Sequence, residues 1–533
     1  MNSLLHRRFE HGRLMLHGRP YLIVGGELHN SGSSTRAAIT ESLDAAALMG
    51  VNTVLAPVAW ESIEPEEGVF DFSIVDALIG AARTHSLHVI PLWFGTWKNG
   101  MSNYVPGWVK RDAARFPRIH TSAGTPIEAI SPFSRSACEA DARAFAALMR
   151  HLKELDDGET VLMLQVENEV GVLGDSRDRS RLAEEKWADP VPAAVLDALG
   201  RLDEGRLLGA VRRTGTARDS NWEGVFSEEA DEAFMAAAYA SYIDEVARAG
   251  RAEFDIPLYV NAWVDANAQS DGGEAGFALA GGVRPGEYPS GGPLRHTASI
   301  WRALAPTLDF LAPDLYFGTF DAIASEYAAI DGILFIPEMQ CNRTGVEQMF
   351  RAVGELGAAG VAPFAFDIMA KDDPHYSDVT DAFRLLSAAG KVLEQYPDAE
   401  MHGFTLTGDK STKRLFGDGA VEVSSSHLAE TFPSERNGVG LVARVRQDLF
   451  YVIGRGFAVR TVDAGGSRTG WLAVEEVEPE GDDWRVRRRL NGDEVGGGQW
   501  IRLPALDQTQ SELFPIRQNT RLSGILRAST YTY

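Results

Sequence analysis

Cysteine is almost absent: Cys138 and Cys341 are the only two in 533 residues. Two thiols make neither a disulfide framework nor a four-ligand zinc site. Cys138 falls in a helical pattern and reads as buried and inert. Cys341 follows a glutamate, Glu338, by three residues and reads as a free thiol. Long apolar runs are also missing. No stretch reaches the ~20 residues of a membrane span. Met1 to Pro20 holds basic residues without the continuous apolar stretch of a secretory leader, so a cytoplasmic protein is expected. The 12 histidines are scattered, with no His-Glu-x-x-His helix. Gly-Gly pairs at 272–273, 281–282 and 291–292 lack the Lys-Ser/Thr of a phosphate loop. No Gly-x-Ser-x-Gly elbow occurs. Neither a metal nor a cofactor is therefore expected.

What charge there is leans acidic: 51 Lys and Arg against 75 Asp and Glu, a net of −24. Such a surface argues against nucleic acid and anionic membrane as partners. It fits a neutral substrate handled by carboxylates, and equally a surface charged only for solubility. At 44% hydrophobic and 24% charged residues the composition is globular, and the length implies two or three domains.

Strands and helices alternate through the first three quarters of the chain. Apolar runs at Tyr21–Gly25, Val51–Pro57, Leu87–Phe94, Val161–Gly171, Pro257–Val260, Leu308–Leu315, Gly332–Ile336 and Gly360–Phe364 read as eight strands. Helical patterns separate them. Ser33 or Ser34 is the expected cap of a helix over Arg36–Met49, and Ser136 with Glu139 that of a helix ending near Leu155. This alternation predicts a parallel α/β fold, a (β/α)8 TIM barrel over residues 1–397. Insertions are expected at about 172–225 and 266–292. Residues 398–533 are short alternating runs split by Gly, Asn and Asp, predicting an all-β sandwich or jelly roll. That domain is expected to bind glycans, form a homodimer or shield the barrel. The last two are favoured because no exposed aromatic platform is evident.

Active sites of such barrels lie at the C-terminal strand ends. The fourth run ends in Glu167-Asn168-Glu169, a costly set of polar groups unless the end opens onto a site. A capped, solvated strand end is the competing reading. The other ends supply Glu27 and His29, Trp60 and Glu61, Trp97, Asn261 and Trp263, Tyr316, and Glu338. Carboxylates after strands four and seven would face each other across the barrel mouth. A retaining glycosidase needs such a pair about 5–5.5 Å apart, one as acid/base and one as nucleophile. Trp60, Trp93, Trp97, Trp108 and Trp263 could offer faces to sugar rings, with packing the expected role of at least half. Strand alternation puts Glu167 on the same face as Glu169, which makes it a rival for the acid/base role.

The stretch Gln165-Val166-Glu167-Asn168-Glu169-Val170-Gly171 resembles the acid/base motif of the family 35 glycoside hydrolases, β-galactosidases with a barrel catalytic domain. Trp60-Glu61 with Pro65 to Phe72 is similar to a stretch of the wider clan and of family 42. Pro91 to Gly100, Tyr104 to Lys110, and residues 449–459 look like a bacterial branch with an extra C-terminal β-domain. The resemblance implies an exo-acting retaining β-galactosidase taking a β-galactoside or oligosaccharide. In it Glu169 is the acid/base, Glu338 the nucleophile, Asn168 a sugar ligand and Tyr316 the residue that orients Glu338. Glu27, His29, Trp97, Asn261 and Trp263 are the further substrate-binding candidates. The chain departs from the family where Leu28-His29-Asn30-Ser31 replaces a His-Tyr-x-Arg type segment and Gly95-Thr96-Trp97 replaces Ala-Glu-Trp. These departures bear on the sugar preferred, not on the reaction class. The nearest alternative is another retaining clan member, a β-glucosidase, β-mannosidase or α-L-arabinopyranosidase. From another class, the alternative is a non-catalytic carbohydrate-binding protein on a decayed barrel.

Overall fold

The computed structural model describes residues 7–156, 160–201, 205–214, 220–265, 282–408, 412–425, 437–463, 468–506 and 522–533. Residues 266–281 of the expected Gly-rich insertion, and 202–204 and 215–219 of the first, lie outside these. Eight strands form one sheet: β1 Ile23–Glu27, β2 Thr53–Ala59, β3 His88–Lys98, β4 Leu164–Asn168, β5 Leu258–Trp263, β6 Phe310–Asp314, β7 Phe335–Met339 and β8 Gly360–Pro363. Their spatial order is β6-β5-β4-β3-β2-β1-β8-β7, with parallel pairing throughout. A parallel bridge from Leu315 to Met339 and the Leu315 N–H bond to the Glu338 carbonyl, 2.9 Å, close β6 onto β7. The expected barrel is therefore present.

One main helix follows each strand: α1 Arg36–Met49, α2 Ser73–Thr84, α3 Arg135–Leu155, α4 Ala230–Glu253, α5 Ala298–Leu304, α6 Phe320–Asp331, α7 Arg343–Gly354 and α8 Tyr376–Gln395. Two caps differ from expectation. Thr35 caps α1 by accepting the Ala38 N–H, and Ser134 caps α3 by accepting the Ala137 N–H. Ser136 and Glu139 lie inside α3, because Ser134, two residues earlier, already meets the free Ala137 donor.

The barrel interior is filled by Ile23, Leu55, Ile90, Leu92, Phe94, Met163, Tyr259, Phe310 and Phe335. Its N-terminal end is plugged by an antiparallel meander, Arg7–Glu10, Arg13–Leu16 and Arg19–Tyr21, which inserts Leu14 and sets Phe9 edge-on to Phe310. The turn at His17-Gly18 takes φ of 52° and 79°, the left-handed pair that a tight two-residue hairpin requires. The polar strand ends Glu27, Asn168 and Glu338 lie at the opposite, C-terminal end of the strands.

The C-terminal strands are β9 Glu400–Thr407, β10 Thr412–Leu415, β11 Val421–Ser425, β12 Asn437–Arg446, β13 Leu449–Arg455, β14 Phe457–Thr461, β15 Thr469–Glu480, β16 Asp483–Leu490, β17 Trp500–Leu503 and β18 Ile525–Thr532. They make antiparallel sheets of order β9-β12-β13-β18-β15-β16 and β10-β11-β14-β17. Strand alternation divides the larger sheet. Val442, Phe450, Val452 and Leu526 meet the smaller sheet, while Leu441, Ala443, Tyr451, Ile453 and Ile525 join the core shared with the barrel. Arg455 pairs with Asp381 of α8 at 2.9 Å, and the Trp484 indole N–H donates to Gln395 at 2.7 Å. Residues 396–399 link α8 to β9. Tyr531 and Tyr533, stacked at 5.4 Å and exposed, are aromatic surface not anticipated from the sequence. Among the described residues no helix is long and apolar enough to cross a membrane.

Candidate active site

The end of β4 departs from regular strand geometry. Glu167 and Glu169 have φ of 61° and 46°, the left-handed region that residues other than glycine seldom occupy. The expected alternation is thereby broken, and the two glutamates do different work. On the neighbouring β3, Trp93 pairs with Val166 and Lys98 with Asn168, so residues 94–97 bulge from the ladder. Backbone donors freed by a bulge need another acceptor. Glu167 supplies it, accepting the Thr96 N–H at 3.0 Å and the Trp97 N–H at 2.7 Å. Burial, then Asp141, push its carboxyl well above the ordinary range, against the pull of those two bonds. Asp141, also fully buried, accepts the Trp93 indole N–H at 2.8 Å and the Thr96 hydroxyl at 2.7 Å. Glu167 is thus tied into the wall between β3 and β4.

Glu338 ends β7 and receives three donors. The Asn168 and Asn261 amides reach Oε1 at 3.2 and 3.3 Å, and the Tyr316 hydroxyl reaches Oε2 at 3.0 Å. Tyr316 is itself fixed, its carbonyl accepting the Gln340 amide at 2.6 Å. Glu169 has different surroundings. Its backbone N–H donates to Asn261 Oδ1 at 3.0 Å. Burial first, then Glu338, push its carboxyl up to about 8, although Lys98 and Asp314 draw it down. One oxygen each from Glu169, Glu338 and Asp314 lies within 4.8 Å of the other two. Two carboxylates thus sit close together, one held by three donors and the other favoured in its acid form.

Four carboxyl groups meet one ammonium here. Glu27, at the end of β1, is fully buried with neither oxygen hydrogen-bonded, and burial and Glu338 hold it well above the ordinary range. Asp314, at the end of β6, accepts the Asn261 amide at 2.8 Å and is raised by burial, Glu338 and Glu169. Burial acts to lower Lys98, but Glu338, Glu169, Glu27 and Asp314 raise it on balance. Among the described residues, Glu169, Asp314 and Glu338 are the grouping whose geometry could accept a metal ion. Lys98 already supplies positive charge to that group.

The structure brings Glu27, Asn168, Glu169, Asn261, Tyr316 and Glu338 into one charge and hydrogen-bond network. His29 stands at the partly open rim, its Nδ1 2.7 Å from Asp367, which also accepts the Ser42 hydroxyl at 2.7 Å. Trp263, at the end of β5, is partly exposed. Trp97 is not brought to the cleft. Its ring is fully buried against Tyr239 and Tyr242, and its indole N–H donates to the Ile130 carbonyl. Trp60 and Trp93 are likewise buried, their indole N–H groups bonded to Glu64 and Asp141. The bulge in β3 turns Trp97 outward from the barrel axis. Lys98, Asp314, Asp367 and Asp141 were absent from the candidates. Asp314 carried the strand-end signal that found Tyr316 two residues later, whereas Asp141 lies in mid-helix and had none.

Residues 13–231 match the family described as "Glycosyl hydrolases family 35", and residues 379–502 match "Domain of unknown function (DUF5597)". The first match contains Glu169 and ends before Glu338. A protein described as "Beta-galactosidase" from Xanthomonas manihotis is 29% identical over 170 residues, covering 30% of this chain and 25% of that protein. A "Beta-galactosidase-1-like protein" from Mus musculus is 27% identical over 173 residues, 30% of this chain and 24% of that protein. Each match therefore spans about a quarter of the relative's length. Among solved structures, the catalytic domain of beta-amylase from Paenibacillus polymyxa has a TM-score of 0.49 at 14% identity, over 68% of this chain and 97% of that one. A GH42 beta-galactosidase from G. stearothermophilus has 0.49 at 15%, over 70% of this chain and 59% of that one. Residues 13–231 are therefore similar to glycosyl hydrolases family 35, and a further β-domain follows the barrel.

Proposed function

We propose that the protein is a retaining, exo-acting β-galactosidase. The observation that supports this best is the unequal, closely spaced pair Glu169 and Glu338, with oxygens within 4.8 Å. Retaining enzymes bring their carboxyl groups to about 5–5.5 Å, whereas inverting enzymes leave about 6.5–9.5 Å for a water between them. Galactose as the sugar rests on the names of the two curated relatives.

In the first step Glu169 gives its proton to the glycosidic oxygen as the C1–O bond breaks, and a Glu338 oxygen bonds C1. In the second, Glu169 takes a proton from water, whose oxygen attacks C1 and releases Glu338. Asn168 and Tyr316 hold the nucleophile, and in this reading Asn168 also binds the 2-hydroxyl. Glu27, His29, Asn261 and Trp263 shape the remaining sugar contacts. A panel of nitrophenyl β-galactoside, β-glucoside, β-mannoside and α-L-arabinopyranoside, followed by NMR of the first-formed anomer, tests both parts. The expected result is fastest turnover of the β-galactoside with the β-anomer released first. Preference for another glycoside would overturn the sugar assignment, and first release of the α-anomer the retaining mechanism.

A further inference from the structure

Asp314 has no part in the two-carboxylate scheme, yet it is only 2% exposed and lies within 4.8 Å of both members of the pair. Its Oδ2 takes the Asn261 amide, while its buried Oδ1 is offered no donor. Ionised, Oδ1 would be an unmet acceptor beside two other carboxylates, an arrangement of high cost. We propose that Asp314 is a positioning residue that stays protonated and donates its Oδ1 proton to Glu169, stabilising the carboxylate that forms as Glu169 protonates the leaving group.

The surroundings agree. Facing Asp314 are Glu27 from β1, Lys98 from β3, Glu169 from β4, Tyr259 and Asn261 from β5, Tyr316 beyond β6, and Glu338 from β7. Burial with Glu338, Glu169 and Glu27 raises Asp314, and its side-chain bond with Glu169 raises Asp314 further while lowering Glu169, as expected of donor and acceptor. A carboxylic acid kept neutral by its site can serve as a hydrogen-bond donor. Asn261 couples the parts, since one side chain holds Asp314, Glu338 and the Glu169 backbone. No new bond forms at Asp314. The proton that reaches the leaving group is that of Glu169, and Asp314 keeps its own.

This inference rests on Glu169 being the acid/base, so the test carries Glu169→Ala as a control. Two β-galactosides are compared. One has a dinitrophenyl leaving group, which needs little protonation, and the other an alkyl leaving group, which needs much. Asp314→Val should lower kcat/KM for the alkyl galactoside about 10-fold or more, a fraction of the ~100-fold or greater worth of a general acid. The dinitrophenyl galactoside should stay within about 3-fold, and the basic limb of the pH profile should move up by about one pH unit. Asp314→Asn retains a neutral donor and should restore the alkyl rate to within about 5-fold of the parent. If Asp314→Val does not fold, Asp314→Ala, which also lacks a donor, serves in the same comparison. Equal losses on both substrates, or loss in Asp314→Asn as deep as in Asp314→Val, would overturn the proposal. A Glu169→Ala variant with no leaving-group discrimination would instead refute the assignment of Glu169.

Discussion

Replacing Glu169 by Gln should abolish turnover of substrates whose leaving group needs protonation and stabilise the protein, increasingly so as the pH rises. The folded state raises this carboxyl from 4.5 to about 8, chiefly by burial and secondarily by Glu338. For a raised group, stability is fully present below the unfolded value and is lost as pH climbs through the folded one. Between pH 4.5 and 8 the unfolded chain ionises Glu169 freely while the folded protein retains the proton. At about 1.4 kcal/mol per pH unit, the loss approaches about 5 kcal/mol at pH 8 and is about 1 kcal/mol at pH 5. Because Glu169 is 5% exposed, solvent screening removes little of this. These are upper bounds, since Lys98 and Asp314 readjust. Glutamine is neutral at every pH and incurs no such loss. Calorimetric scans of parent and Glu169→Gln at pH 5 and 8 should show a higher Tm for the variant at pH 8 and a much smaller difference at pH 5. A difference independent of pH, or a variant less stable at pH 8, would refute the reasoning.

The same raised value places the basic limb of the kcat/KM profile near pH 8, and a limb below pH 6 would contradict it. Tyr316→Phe removes the 3.0 Å donor to Glu338. A hydrogen bond to a charged group contributes about 1.5–3 kcal/mol, so kcat should fall about 10- to 100-fold in steady-state assays with Tm nearly unchanged. Glu167→Ala strips the acceptor from two buried backbone N–H groups. It should cost about 2–5 kcal/mol in denaturant unfolding as well as activity. Gly403→Ala forces a methyl to 2.1 Å from the Phe350 carbonyl, where the C-terminal sheet meets α7. It should lower the unfolding temperature while leaving KM unchanged.

How legible this was in the sequence depended on whether a signal was local. The eight strands are short buried runs ending in polar residues, and each appeared within a few residues of its observed place. The Glu338 site could be anticipated because a glutamate after an apolar run has few structural uses. The Glu167–Glu169 geometry could not, because regular alternation was assumed and two left-handed residues break it. Trp97 was misplaced by the same bulge. The cap of α3 was displaced by two residues because Ser134 and Ser136 carry nearly the same local signal, and only the backbone selects between them. The Asp141 support under Glu167 arises from a mid-helix aspartate whose partners are 26 to 101 positions away. No local pattern announces such a contact.

The central claim is that Glu338 forms a covalent bond to the sugar while Glu169 moves the proton. A 2-deoxy-2-fluoro-β-galactoside with an activated leaving group should trap the intermediate, since the fluorine slows both steps and the leaving group speeds only the first. Mass spectrometry of the digested protein should then find one fluorosugar on the peptide containing Glu338, and none in Glu338→Ala. A label on Glu169, Asp314 or Glu27 would contradict the account.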